Sequence, residues 1–174
     1  MKFSYAGAPE TEPVSIERVM DGDTFRLSNG QKLKLAGVKT AELHDTPKLP
    51  QEARRFNKEI WAFRSLGGQA ENLAQHLVKG AQKQLLIDTG TQGVDEEGNL
   101  LGYVYIPISK LESEMTADGE TIIEKDGGYQ IFLNAYLLKI GLAELEPSSL
   151  DPKYKELFLK LNEEAKKNKK GLWA

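Results

Sequence analysis

Hydrophobic and polar positions alternate along the opening part of the chain in the pattern of short β-strands. Residues 14–20 and 23–27 read as two strand segments separated by Asp21-Gly22, which indicates a bulge or bend. Asn29-Gly30 is a strong signal for a hairpin turn, and the alternation over residues 32–35 is typical of a half-buried strand. The chain is therefore predicted to begin as a β-meander.

Helical spacing of apolar residues follows, and it predicts a helix over residues 51–64. One face of this helix carries Ala53, Phe56, Ile60 and Phe63. Leu66-Gly67-Gly68 is expected to break it, and a second helix is expected over residues 69–79. Trp61 lies among these apolar residues, so it is expected in a core or in a helix-docking face rather than in a base-stacking surface.

The second half of the chain repeats the strand and helix signals. Strands are expected over residues 84–88 and 100–106, and a last short strand at 142–145. Helices are expected over residues 132–140 and from Asp151-Pro152 onward. An acidic segment, 108–128, reads as an insertion in which residues 121–123 pair with 129–131 as a hairpin across Asp126-Gly127-Gly128.

This order of elements predicts an α+β fold that is mainly a β-barrel with helices. Five short strands with a helix between the third and the fourth are the layout of the OB-fold barrel. Residues 1–12 are polar and are expected to form a loose N-terminal arm. Residues 13–174 are expected to form one domain.

Composition narrows the classes of function. The chain has 174 residues with 40% hydrophobic and 28% charged residues, which is typical of a globular protein. It has no cysteine, so disulfides and thiolate metal sites are excluded, and no run approaches the roughly 20 apolar residues of a membrane helix. We expect a soluble protein, either intracellular or exported with its leader removed. Oligomeric state is not indicated.

Net charge argues against an extensive nucleic-acid footprint. The chain carries a formal charge of −3, whereas proteins that bind nucleic acid usually show a strongly basic surface. A local surplus of cations nevertheless occurs over residues 48–64. The solvated face of a helix is the favoured interpretation of that surplus.

Several short motifs in a fixed order carry the most specific signal. They are Asp21-Gly22-Asp23-Thr24, Lys34-Leu35-Ala36-Gly37-Val38, Thr40-Ala41-Glu42, residues 95–105 with Gly98, Asn134, Gly141-Leu142-Ala143 and the lysine-rich last helix with Gly171-Leu172-Trp173. On these motifs, from about residue 14 to residue 173, the chain resembles the staphylococcal nuclease (thermonuclease) family. The resemblance implies that family's OB-fold barrel and three helices, with an inserted helix near 47–66 and an inserted hairpin near 108–128.

The resemblance also implies a calcium-dependent phosphodiesterase and assigns positions to its metal site. Asp23 holds the position of one calcium-binding aspartate, and Thr40 that of the residue whose carbonyl binds the metal. Glu42 holds the position of the glutamate that orients the attacking water. The second calcium-binding aspartate corresponds to Lys39 in this chain.

The two phosphate-binding arginines of the family are also replaced. Lys34 holds the first position and Asn99 the second, while Glu96 and Glu97 stand where the family has nucleotide-holding residues. A lysine lacks the planar fork of a guanidinium, and an asparagine lacks its charge. We therefore predict a degenerate site that is non-catalytic or severely impaired, in a domain that acts by binding or as a structural element.

Lys39 is the substitution with the largest expected effect. Changing a ligand from −1 to +1 beside a dication costs on the order of several kcal/mol even at an effective dielectric near 20. We predict that Lys39 abolishes calcium binding and that its ammonium pairs with Asp23 and Glu42. No cofactor is predicted.

A working enzyme is the alternative reading. In this alternative, the protein is a metal-dependent phosphodiesterase that cleaves DNA or RNA. Asp23 would bind the calcium and Glu42 would act as the base. Lys34, together with an arginine of the inserted helix, would bind the phosphate. A different register would use Asp45-Thr46-Pro47 as the metal-side motif. That register is disfavoured because it puts Lys48 where glutamate is needed and dislodges the strand at residues 35–38.

The basic residues of the inserted helix are the remaining candidates for binding. They are Arg54, Arg55, Lys58 and Arg64. They are expected to contact a protein partner or, weakly, a nucleic acid through residues 48–64. No membrane partner is expected.

Overall fold

The computed structural model describes residues 10–116 and 119–174. The strands in this part of the chain are β1 (Glu12–Asp21), β2 (Thr24–Leu27), β3 (Lys32–Leu35), β4 (Val38–Thr40), β5 (Gln84–Asp88), β6 (Leu100–Ile108), β7 (Ile122–Lys125), β8 (Gly128–Phe132) and β9 (Ala143–Leu145). The helices are α1 (Leu49–Arg55), α2 (Ile60–Gly80), α3 (Lys110–Thr116), α4 (Leu133–Lys139) and α5 (Pro152–Lys167). Two short 3₁₀ turns cover Pro147–Ser149 and Gly171–Trp173.

Five of the strands close into a barrel. β1 pairs antiparallel with β2 and with β5, β2 with β3, and β5 with β6. β3 then pairs in parallel with β6 and closes the circle, which removes the exposed sheet edges that an open sheet would present. The prediction of a five-stranded OB-type barrel with helices is confirmed.

The barrel is extended by the hairpin that the sequence predicted. β7 and β8 pair antiparallel, and β8 continues the sheet from the outer end of β6. Asp126 and Gly127 have φ of 52° and 79°, as a two-residue turn between twisted strands requires. α3, which precedes the hairpin, was not predicted because its seven residues lie in an acidic segment and show no clear apolar face.

The predicted arm and the start of β1 overlap. β1 begins at Glu12, where Glu12 pairs with Ile87 and Pro13 with Leu86 of β5. Residues 1–9 of the arm lie outside the described part of the chain. Its looseness therefore stays a prediction.

The helices after the first barrel strands differ from the prediction. α1 ends at Arg55, a turn containing Asn57 at φ 54° follows, and α2 then runs unbroken through Gly67 and Gly68. The predicted break at Leu66-Gly67-Gly68 is therefore wrong. A Cβ at Gly67 would lie 2.6 Å from the carbonyl oxygen of Ala41, so this glycine permits close packing of the helix rather than ending it.

Two hydrophobic clusters hold these elements together. The main core fills the barrel and the space under α4 and α5, where Phe25, Leu33 and Phe158 are fully buried. A smaller cluster joins α1, α2 and the C-terminal turn, with Leu49 and Leu172 buried in it. No helix in the described residues combines the length and the apolar character needed to cross a membrane.

Candidate functional site

A cleft of about 410 Å³ opens beside the β1–β2 turn, β3 and β4. The sequence-predicted site residues that line it are Asp23, Lys34, Lys39, Thr40 and Glu42. The ends of β1 and β3 both line this cleft, and β4, which follows β3 and pairs with β9 in a separate two-stranded sheet, supplies Lys39 and Thr40. Asn99 is not among the described residues that line the cleft, but it is bonded to one of them, Asp95. The carboxylate of Asp95 accepts hydrogen bonds from both the backbone and the side-chain nitrogen of Asn99.

Asp23 links the β1–β2 turn to β4 through hydrogen bonds. One carboxylate oxygen accepts the Thr24 hydroxyl at 3.0 Å, and the other accepts the backbone N–H of Thr40 at 3.0 Å. Asp21 accepts the backbone N–H of Asp23 at 3.0 Å in the same turn. Both oxygens of Asp23 are thus engaged in holding the fold.

Asp21 is the most perturbed acid of the cleft. Burial, together with the neighbouring carboxylate of Asp23, raises the pKa of Asp21 from 3.8 to about 7. A proton on Asp21 also allows a hydrogen bond between the two carboxyl groups. At neutral pH, therefore, this pair carries less negative charge than two separate aspartates would.

Lys39 does not enter the space between Asp23 and Glu42. Its side chain is 45% exposed, and its ammonium lies 3.7 Å from the carboxylate of Glu52 on α1. Glu42 instead accepts the backbone N–H of His44 at 2.9 Å. The predicted ion pair of Lys39 with Asp23 and Glu42 is therefore wrong, because α1 supplies a closer carboxylate.

The side of the cleft opposite β4 is organised by Asp95. Burial alone would raise the pKa of Asp95, but hydrogen bonds from Asn99 and Glu97 and the nearby charge of Lys34 lower it. Asn99 thus stabilises the loop through Asp95. Lys34 is the lysine of β3 that faces this carboxylate across the cleft.

The predicted arginine clamps are placed elsewhere. Arg55 donates to Glu144 at 2.7 Å, Lys58 to the carbonyl of Ala174 at 3.1 Å, and Arg64 to the carbonyl of Leu43 at 3.1 Å. The side chain of Arg54 is exposed and makes no hydrogen bond or ion pair within residues 10–116 and 119–174. None of these four cations is among the described residues that line the cleft.

Three further lining residues belong to the segment 146–149, where the resemblance places aromatic residues of the family and this chain has none. Glu146, Ser148 and Ser149 follow β9 and close the cleft from a segment about a hundred residues further along the chain. Ser149 accepts the backbone N–H of Gly37 at 2.9 Å, which holds this turn against the barrel. No local pattern distinguishes these residues from an ordinary polar turn.

Trp61 is also placed differently from expectation. Its side chain is 74% exposed in the first turn of α2, whereas Phe63 two positions later is buried. The predicted place of Trp61 in a core is therefore wrong. Residues two positions apart point to nearly opposite sides of a helix, so Phe63 faces the core while Trp61 faces solvent.

At the two calcium-binding aspartate positions that the resemblance assigns, the chain has Asp23 and Lys39. Calcium takes six to eight oxygen ligands, and charged carboxylates dominate its sites. Both oxygens of Asp23 accept hydrogen bonds from the protein, and Lys39 replaces the second carboxylate. Among the residues that the structure describes, no cluster of three His, Asp or Glu side chains could hold a metal ion.

Replacing Asp21 by asparagine is expected to flatten the pH dependence of stability. The pKa of Asp21 is raised to about 7 in the folded protein, so its contribution to stability is present below the unfolded value of 3.8 and is lost as pH rises toward 7. Asparagine resembles the protonated acid and can still accept the N–H of Asp23. Urea unfolding at pH 5 and pH 8 measures the difference.

The wild-type chain should lose more stability than Asp21→Asn over this interval. Asp45→Asn in the exposed loop after Glu42 is the matched control and should follow the wild type. If the free energy of unfolding depended equally on pH in Asp21→Asn and in the wild type, the raised pKa of Asp21 would be contradicted.

The chain is similar to known proteins over most of its length. The family model described as staphylococcal nuclease homologue matches residues 32–174. A protein of Methanocaldococcus jannaschii, described as uncharacterised, is 27% identical over 165 residues, which cover 91% of this chain and 70% of that protein. The match includes β3 and β4, which carry Lys34 and Lys39, and the helices that pack on the barrel.

Proposed function

Because this chain belongs to the staphylococcal nuclease homologue family, we propose that it is a family domain that binds a partner and has lost efficient hydrolysis of phosphodiesters. The lining of the cleft carries this proposal. Its ionisable groups are Asp21, Asp23, Glu42, Asp95, Glu146, Lys34 and Lys39. Acids outnumber cations among the described lining residues, and none of those residues is an arginine.

Such a lining opposes phosphodiester chemistry in two ways. A phosphodiester is an anion, so the surplus of carboxylates disfavours its approach. Negative charge then grows on the phosphoryl oxygens in the transition state, and preorganised donors must stabilise it. Lys34 offers one ammonium for this purpose, without the bidentate geometry of a guanidinium.

The metal that the family would use is disfavoured by the same residues. The resemblance assigns Asp23, Thr40 and the position of Lys39 to calcium. Asp23 is already engaged by Thr24 and Thr40, and Lys39, whose ammonium pairs with Glu52, supplies no carboxylate at the second calcium position. The proposal therefore uses no metal step.

A working phosphodiesterase is the second candidate, and one observation favours it. Asp23, Thr40 and Glu42 still line a single cleft together with Lys34. In this reading Glu42 orients water and Lys34 contacts the phosphate. The arginines that would complete the clamp are engaged with Glu144 and Leu43 or lie outside the cleft lining.

Purified protein is expected to leave single-stranded and plasmid DNA intact with or without calcium. The physical reason is that the described lining has too few cationic groups to stabilise the charge on the phosphate and too few ligands to hold the metal. Gel analysis of the digests measures cleavage, and calorimetric titration measures calcium affinity. Calcium-dependent cleavage by the wild type, or calcium binding at micromolar Kd, would reject the proposal and favour the second candidate.

A triple variant provides the positive control for this assay. Lys39→Asp, Lys34→Arg and Asn99→Arg together restore the family's charges, and we expect them to restore measurable cleavage. Adding Glu42→Gln to the triple variant should remove that cleavage again. This comparison separates genuine activity of the scaffold from a contaminating nuclease.

A further inference from the structure

A groove of about 570 Å³ lies between β1 and the C-terminal half of α2. Val19 and Val78 give it an apolar base, since both lie deeper than the charged residues of the lining. Those charged residues are all exposed, and they are Glu17, Arg18, Lys79 and Lys83. Within residues 10–116 and 119–174, the side chains of the three cations make no hydrogen bond or ion pair. The groove therefore combines an apolar base with a surplus of positive charge at its rim.

The backbone at the rim of the groove is already fixed. Lys83 has φ of 63°, a conformation that a residue other than glycine adopts when its surroundings hold it there. Its N–H donates to the carbonyl of Val78 at 2.9 Å, and its carbonyl accepts the N–H of Ile16 at 2.8 Å. Binding in the groove consequently requires little ordering of the chain, which lowers the entropic cost of association.

The acidic helix α3 lies next to this groove in the same chain. Nε2 of His76 on α2 is 3.7 Å from a carboxylate oxygen of Glu112 on α3. His76 stands between Gln75 and Lys79 within about one helical turn, and both of these residues line the groove. α3 and the groove therefore occupy adjacent parts of one surface.

α3 has the charge and the apolar side chain that would fit such a groove. It carries Glu112 and Glu114 against one base, Lys110, and Glu114 is exposed. The side chain of Leu111 in its first turn is 66% exposed. In its own chain, α3 thus lies beside the groove and leaves an aliphatic side chain in water.

We propose that the groove and α3 form a self-complementary dimer interface, in which α3 of each copy binds in the groove of the other copy. A two-fold axis between the two adjacent parts pairs both at once, because every contact in such an interface occurs twice. Leu111 then packs on the apolar base of the groove. The acids of α3 approach the cations at its rim.

A second copy fits this surface better than an unrelated acidic protein does. A separate protein in the groove would neutralise the cations but would leave Leu111 exposed, whereas a second copy covers both parts. None of the residues of this interface lines the cleft, so the inference goes beyond the proposed function and does not depend on it.

The wild-type chain is expected to pass from monomer to dimer as its concentration rises from about 1 to 500 μM. Sedimentation velocity measures the transition. The dimer should weaken as salt is added, because the pairs between exposed charges are screened. Assembly should stop at the dimer, because a two-fold interface leaves no unpaired copy of itself.

Two charge reversals test the pairing of α3 with the groove. Arg18→Glu with Lys79→Glu reverses the rim of the groove, and Glu114→Lys reverses the exposed acid of α3. Each variant alone is expected to dimerise at least about tenfold more weakly, because each change acts twice in the dimer.

An equimolar mixture of the two variants should regain the affinity of the wild type. In the mixed dimer the reversed groove meets the reversed helix, and the other groove and helix are both unchanged. Restoration in the mixture also shows that both variants are folded. Lys155→Glu with Lys167→Glu makes the same change of charge as the groove variant, on exposed positions of α5, and should leave the affinity unchanged.

Each outcome decides the inference. A wild-type chain that stays monomeric at about 500 μM overturns it, whether the groove then binds an acidic protein of another kind or nothing. Assemblies that grow beyond the dimer overturn the two-fold arrangement, and a mixture that stays monomeric overturns the pairing of α3 with the groove. Cleavage of DNA by the dimer would reject the non-catalytic function while leaving this interface in place.

Discussion

Replacing Asn134 by alanine is expected to lower the free energy of unfolding by about 3–5 kcal/mol, as measured by urea denaturation. Asn134 is fully buried at the start of α4. Its side-chain oxygen accepts the backbone N–H of Val104 at 2.8 Å, and its side-chain nitrogen donates to the carbonyls of Ala36 and Gly102 at 2.9 and 3.1 Å.

The expected loss of stability follows from the backbone groups that would lose a hydrogen-bond partner. A buried backbone group left unsatisfied costs about 1–3 kcal/mol, and alanine satisfies none of the three. The carbonyl of Gly102 retains the N–H of Ala36, so the loss falls mainly on Val104 and Ala36. Domains of this size are stable by only about 5–15 kcal/mol, so this single side chain is a large part of the total.

Asn162 provides a matched control within the same chain. It is also a buried asparagine, on α5, but its side-chain oxygen has no hydrogen-bond partner among the residues that the structure describes. We expect Asn162→Ala to cost about 1 kcal/mol or less, because that oxygen has no bond to lose. Similar losses for the two variants would show that burial, rather than the bonds of Asn134 to the barrel, determines the effect. If Asn134→Ala does not fold, Asn134→Ser, which retains one hydroxyl, should give an intermediate loss.

Replacing Gly67 by alanine is expected to destabilise the protein by about 1–3 kcal/mol, whereas Gly68→Ala should stabilise it by up to about 1 kcal/mol. The added methyl group at Gly67 would lie 2.6 Å from the carbonyl oxygen of Ala41, and backbone atoms cannot turn aside as a side chain can. At Gly68 the nearest atom is a methyl of Leu43 at 3.8 Å, which is an ordinary contact.

The two glycines are neighbours in one helix, so helix propensity is matched between the variants. The difference in stability therefore measures the contact of α2 with the loop that carries Glu42. Chemical denaturation gives the energies, and backbone NMR shifts at Ala41 and Glu42 report displacement of the loop. Stabilisation of similar size by both substitutions would mean that α2 does not press on this loop.

The barrel and its added hairpin could be predicted from the sequence because they depend on local signals. Period-two alternation defined β3, Asn29-Gly30 marked its turn with β2, and Asp126-Gly127 marked the turn between β7 and β8. The connection between β1 and β2 was predicted only as a bulge or bend, whereas the two strands pair antiparallel across it. α2 was predicted in two pieces, because a glycine pair reads as a helix end in a single sequence. Its continuity depends on Ala41, which approaches it from another part of the chain.

The candidate site was predictable in its membership and not in its contacts. The spacing of Asp23, Thr40 and Glu42 on motifs of the family identified them before the cleft was described. The partner of Lys39 was not predictable, because Glu52 reaches it from α1. Glu146 and Ser149 enter the cleft from a turn that only the family resemblance associates with it, because no local pattern of residues does so.

The sequence by itself therefore determined the order of the strands, the family and the charges substituted at positions 34, 39 and 99, since all of these are properties of residues along the chain. Only the tertiary structure decided where those charges point, which glycine is packed too closely for a side chain, and that Trp61 faces solvent. Each of these depends on the distance between segments far apart in sequence. A pattern of neighbouring residues carries no measure of that distance.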